Sequence, residues 1–182
     1  MAQDRPDIQI RIAEPDDAES VAAVLRQSFV EYQSSYTEEA FAATTPGSDQ
    51  MLHRLVEGPV WVAVMNNAIV GTVSAVTHGE TLYIRSMAVV PAARGRKVGE
   101  ALLACAESFA LVHGNKRLFL STTPFLTGAI RLYERMGYRR SDKGPHDLLG
   151  TPLFTMEKDV VDRTDVEVAR SAEGGSRRHG QV

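Results

Sequence analysis

With 182 residues, 43% of them hydrophobic and 24% charged, the chain carries enough apolar material for one core and too little for a second. Its formal net charge of -3 gives it no general attraction for nucleic acid or anionic membrane, so any anion site has to be local. A single cysteine, Cys105, excludes an internal disulfide and a thiolate metal cluster, and the five histidines lack ligand spacing. No apolar run is long enough to cross a bilayer and the charged start has no signal-peptide core, so a soluble cytoplasmic protein without bound metal is expected.

In chain order, a flexible start over residues 1–7 precedes a short strand at Ile8-Gln9-Ile10-Arg11. Pro15 at a first helical position, with Asp16 and Asp17 in the first turn, opens a helix whose Ala18, Val21, Ala22, Leu25 and Phe29 share one side. Between residues 29 and 58, Thr37 and Ser48 read as caps of two short helices separated by the loop Thr44-Thr45-Pro46-Gly47. Residues 60–64 and 69–76 read as strands joined around Asn66-Asn67, a pair that tolerates the positive φ of a tight hairpin. Residues 81–89 form the next strand, which runs through Ala92-Ala93-Arg94-Gly95-Arg96-Lys97 into a helix opening at Val98-Gly99-Glu100 and ending near Gly114-Asn115. On that helix Val98, Leu102, Cys105, Phe109 and Val112 are expected on one buried face, which makes Cys105 a small core hydrophobe rather than a nucleophile. A strand over 117–122, a helix over 128–136 and a closing strand over 153–158 follow. From residue 161 apolar content nearly vanishes, so a disordered tail is expected over 161–182 and a single domain over 8–160.

The strand-to-helix junction carries the chemistry. A glycine-bearing turn with Arg94, Arg96 and Lys97 aims unpaired backbone N–H groups, the positive end of a helix dipole and three cations at one spot, which suits a polyphosphate. Taken alone, three basic residues also read as ordinary surface charge. Neither the Walker spacing nor the dinucleotide Gly-x-Gly-x-x-Gly spacing occurs there. Instead Arg94-Gly95-Arg96-Lys97-Val98-Gly99 resembles the pyrophosphate loop of the GNAT superfamily of N-acetyltransferases, whose pattern is Arg or Gln, two residues, Gly, one residue, then Gly or Ala. Lys97 stands where the pattern has its middle glycine. Further on, Ala129-Ile130-Arg131-Leu132-Tyr133-Glu134-Arg135-Met136-Gly137-Tyr138 is similar to the family's second signature.

The resemblance implies an α/β (α+β) fold: a mixed, mostly antiparallel central sheet of about six to seven strands, flanked by helices and splayed around an acetyl-CoA site. It implies acetyl-CoA as co-substrate. Met87, Ala88 and Val89 would pair with the pantetheine arm, and Gly95, Arg96, Lys97, Val98, Gly99 and Glu100, with Arg94, would hold the pyrophosphate. Tyr133 matches the family tyrosine that protonates the departing thiolate, although a tyrosine beside Ile130 and Gly137 can also simply fill core space. The base is open. The strand position used by some members falls on Tyr83, while Glu80, just before the strand, and His78 would have to act through water. The expected function is transfer of acetyl to the primary amine of a small molecule or protein by direct attack in a ternary complex. Its rival is a catalytically silent acyl-CoA sensor, in either case as monomer or homodimer. Residues 29–58 and 141–151 are expected to shape the acceptor pocket.

Overall fold

A computed structural model describes residues 7–143 and 146–161; the expected tail beyond residue 161 and most of the flexible start lie outside them. Period-two alternation organises the sheet. In β2 (Val60–Met65), Val60 and Val62 enter a core on one face, while Trp61 and Ala63 enter a core on the other. β2 turns into β3 (Ala68–His78) through Asn66 and Asn67, whose φ values of 51° and 62° are those of a type I′ hairpin. β1 (Gln9–Ile12) pairs antiparallel with β2, and β4 (Thr81–Val89) with β3. β5 (Arg117–Thr122) lies parallel to β4, and β8 (Thr151–Asp159) antiparallel to β5. β6 (Arg139–Arg140) and β7 (His146–Leu148) also pair with β8. Among the described residues the sheet therefore has eight strands rather than about six to seven, in the order β1-β2-β3-β4-β5-β8-β6 with β7 beside β8. The two additional strands hold two and three residues, too few for a period to show in the sequence.

α1 (Ala18–Phe29) and α3 (Ser48–Glu57) cover one face with Val21, Leu25 and Met51, each fully buried. Between them lies α2 (Glu38–Thr44), whose N-terminus is capped by Thr37 Oγ1 accepting the Ala40 N–H at 3.2 Å. Gly47, not Ser48, occupies the cap position of α3. α4 (Val98–Val112) and α5 (Thr127–Arg135) cover the other face. The buried stripe of α4 is Val98, Gly99, Leu102, Leu103, Ala106 and Ala110. It is rotated from the expected one: Cys105 and Phe109 are half-buried and Val112 is 80% exposed, because the small Ala106 and Ala110 let the helix turn that side onto the sheet. Burial of each leucine in this stripe stabilises by about 2 kcal/mol. Cys105 keeps its structural role, its thiol pushed up from the ordinary range by burial.

Two irregularities in β4 open the sheet. Thr72 faces Ala88 while Ser74 faces Arg85, so Val73 opposes both Ser86 and Met87, and Ser86 takes the left-handed φ of 53°. This bulge swaps faces: Leu82 and Ile84 point to the α4 side before it, Met87 and Val89 after it. Pairing of β4 with β5 then stops at Ile84 and Leu120. Beyond that point the strands part, and residues 85–89 have no partner strand on the β5 side.

Candidate active site

The gap between β4 and β5 widens into a cavity of about 840 Å³, and the N-terminus of α4 stands at one end of it. Gly95 has φ 75° and Lys97 sits in the left-handed region at φ 64°, ψ 19°, as the N-cap of α4. No side chain caps this helix, and its first N–H bonded within the helix is that of Ala101, which donates to the Lys97 carbonyl at 3.1 Å. The N–H groups of Val98, Gly99 and Glu100 are thus free to face an anion, assisted by the helix dipole. Gly99 lines the cavity from beneath: a Cβ there would lie 2.7 Å from Leu132 Cδ2 and 3.3 Å from Met87 Cε, so packing of α4 onto α5 excludes a side chain.

The three cations of the turn divide. Lys97 borders the cavity, and its charge has no acidic partner among the described residues. Arg94 lines it too, but its guanidinium is engaged: it donates to the Val89 carbonyl at 3.3 Å and the Ser28 carbonyl at 3.1 Å and pairs with Glu31 at 2.5 Å. It braces the turn against the end of α1. Arg96 lies off the cavity wall, 3.8 Å from Met65 Sδ, so its side chain is aimed elsewhere. Glu100 is tied to Arg135 at 3.2 Å.

Midway along the cavity the chain presents Met87, Ala88 and Val89 from one strand and Tyr133 from α5 across from them. Tyr133 is 5% exposed, its ring 6.0 Å from that of Tyr138. Its hydroxyl makes no hydrogen bond among the described residues, and burial holds the phenol well above its ordinary pKa, so it remains a proton donor. The remaining end is walled by Tyr32 and Tyr36, which share contacts with Phe125, and by Arg54 of α3 with Tyr83 and Arg85 of β4. The β7–β8 hairpin closes it: Thr37 Oγ1 donates to the Leu149 carbonyl at 2.7 Å, and the Thr37 N–H donates to Thr151 Oγ1 at 3.0 Å.

Of the three base candidates, His78 lies at the end of β3 off the cavity wall, and Glu80 is displaced. It sits on the β3–β4 turn, 72% exposed and paired with Lys116 at 2.8 Å, outside the cavity wall. Tyr83 does line the cavity, stacked 4.9 Å from Phe119, but burial raises its pKa and keeps it protonated, the opposite of what a base needs. Sequence reasoning missed Arg54, which reaches the site only because α3 packs beside the face that Tyr83 and Arg85 share. Among the described residues no group of three or more His, Cys, Asp or Glu is placed to hold a metal ion, and no helix is long and apolar enough to cross a membrane.

Residues 21–138, most of the described chain, match the acetyltransferase (GNAT) family. The chain belongs to the GNAT acetyltransferase family. One GNAT relative, the uncharacterized N-acetyltransferase YjgM of Escherichia coli (strain K12), is 30% identical over 133 residues, covering 69% of this chain and 78% of that protein. The N-acetylaspartate synthetase of Mus musculus is 34% identical over 101 residues, and the match covers 54% of this chain. This GNAT chain spans about a third of the length of the N-acetylaspartate synthetases it matches. In fold it is similar to the PaiA N-acetyltransferase of Thermoplasma acidophilum, solved in complex with coenzyme A, with a TM-score of 0.73 at 20% identity, covering 84% of this chain and 99% of that one. A GNAT acetyltransferase of Staphylococcus aureus aligns with a TM-score of 0.70 at 17% identity, over 85% and 100% of the two chains.

Proposed function

We propose that this GNAT domain is an acetyl-CoA-dependent N-acetyltransferase that passes acetyl to a primary amine by direct attack in a ternary complex. The observation that carries this reading is the alignment along one cavity of an uncapped helix N-terminus, an unpaired strand edge and a protonated, unpartnered tyrosine. Acetyl-CoA supplies the activated acyl thioester. The N–H groups of Val98, Gly99 and Glu100, with Lys97, fit its pyrophosphate, and the free edge of β4 at Met87 and Ala88 suits an extended arm that pairs like an added strand. The Val89 carbonyl is already occupied by Arg94.

Two proton movements remain. Tyr133 donates its phenolic proton toward sulfur as the carbon–sulfur bond breaks; the same burial that raises the phenol also raises a thiol in that pocket, which keeps the two acids closer in strength. On the acceptor side the Arg54 guanidinium, which has no acidic partner among the described residues, disfavours an ammonium, so an amine loses its proton to water more readily there. No carboxylate is needed as base. One group of relatives, the N-acetylaspartate synthetases, is named for an N-acetylated amine.

A silent acyl-CoA sensor is the second reading, favoured by one observation: among the described residues Glu100 is the only carboxylate lining the cavity, and it belongs to the phosphate end. Thiol release from acetyl-CoA over a panel of amines decides between them. The enzyme gives acceptor-dependent release; calorimetric binding of acetyl-CoA without release from any amine would establish the sensor.

A further inference from the structure

The charges lining the cavity are unbalanced. Among the described residues, Arg54, Arg85, Arg94, Lys97 and Arg135 face a single carboxylate, Glu100. Arg85 is neutralised by Glu57, Arg94 by Glu31 and Arg135 by Glu100. Among the described residues two cations are left uncompensated, and they stand at opposite ends: Lys97 at the uncapped helix and Arg54 beside Tyr83. The first has its anion in the proposed pyrophosphate. The second is without one.

Arg54 is half-buried on α3, held in place by Ser86 Oγ, which accepts from Nη1, and by the Ala43 carbonyl, 3.4 Å from Nη2. Both partners are neutral. Glu57, on the same helix, is spent on Arg85, so nothing on α3 offsets the Arg54 charge. Partial desolvation of a guanidinium without a counter-ion is costly, and here it depresses the pKa of Arg54. A cation fixed by neutral groups at the wall of a substrate cavity is the arrangement that receives a carboxylate.

We infer that the acceptor is a small amine carrying its own carboxylate, an amino acid rather than a polyamine or a protein amino group, with the carboxylate seated on Arg54. This rests on the acetyltransferase reading and refines it. Simple cationic amines meet only repulsion from the uncompensated Arg54, and a polypeptide amine brings no α-carboxylate beside its nitrogen.

The test compares L-amino acids with their own α-carboxamides as acceptors at saturating acetyl-CoA, alongside spermidine. Thiol release is expected to favour the acid over its amide in kcat/KM by ~10- to 100-fold, the span of one charge-assisted hydrogen bond. Arg54→Gln should raise KM for the acid and bring the acid-to-amide ratio to within about threefold of one; Arg54→Lys should restore part of the preference. In parallel, calorimetry with the matching N-acetyl amino acid on the coenzyme A-loaded protein reads the carboxylate site without turnover. Amides or spermidine turned over as well as the acids, or equal losses for acid and amide in Arg54→Gln, would overturn the inference and leave the transferase standing. Carboxylate-dependent binding lost in Arg54→Gln, with no turnover of any amine, would uphold the site and overturn the transferase. Neither turnover nor carboxylate-dependent binding would overturn both.

Discussion

Replacing Lys97 by glycine should make the protein more stable and its cofactor binding weaker. At φ 64° a residue with a Cβ carries roughly 1–2 kcal/mol of left-handed strain. Glycine relieves that strain but loses about 0.5–1 kcal/mol to its own chain entropy, so the net gain is about 0.5–1 kcal/mol. For a chain of this size that raises Tm by about 1–4 °C. The Lys97 charge borders the cavity at the N-terminus of α4, and its removal should weaken acetyl-CoA binding about two- to fivefold at low salt, less as salt screens it. Lys97→Ala separates the two effects, because alanine loses the charge and keeps the Cβ: its affinity should match the glycine variant and its Tm the parent. Thermal melts followed by circular dichroism and calorimetric titrations over a salt series measure both. A Tm for Lys97→Gly at or below that of the parent would refute the left-handed turn, and unchanged affinity in both variants would refute its role at the phosphate.

Gly58→Ala should destabilise severely, by about 3 kcal/mol, since the added Cβ would lie 2.1 Å from the Ala75 carbonyl oxygen and neither backbone can move alone; urea unfolding reads it. Asp17→Ala should cost about 1.5 kcal/mol at neutral pH, because Asp17 accepts from Arg11 at 2.6 Å and from the Glu14 N–H at 2.8 Å. The Arg11 bond holds the Asp17 carboxyl below its ordinary range, so the gap to the parent should be constant above pH 5 and close as the pH falls through that lowered pKa, a trend that urea melts from pH 7 downward test. Since burial keeps Tyr133 protonated beyond the ordinary phenol range, the pH–rate profile should show no descending limb from it below about pH 10.

Local features were legible where a residue type and a backbone demand coincide. Asn66 and Asn67 turn where their tolerance of positive φ predicts, Thr37 caps α2, and the turn before Val98 runs from strand into helix at the expected residues. The bulge left a trace that period counting can find: apolar Leu82 and Ile84 give way to Met87 and Val89, an even-to-odd change inside one strand. The β7–β8 hairpin left less, because its turn puts Leu149 at φ 48°, a conformation its side chain does not advertise. Arg54 was not legible at all. On a short amphipathic helix it reads as a solvated charge, and only packing of α3 against the far side of β4 gives it a place on the cavity wall. Glu80 failed for the converse reason: adjacency in sequence to β4 put it on the outer turn, where Lys116 holds it.

Tyr133→Phe tests the central claim most directly. The ring packing beside Tyr138 is kept and only the hydroxyl is lost, so a circular dichroism melt and the calorimetric affinity for acetyl-CoA should both stay with the parent. With an acceptor that the parent acetylates, turnover should fall by ~10² to 10⁴, the contribution of a general acid. Turnover at the parent rate with intact binding would contradict the account, leaving Tyr133 as a wall of the cavity and no proton donor at the departing sulfur.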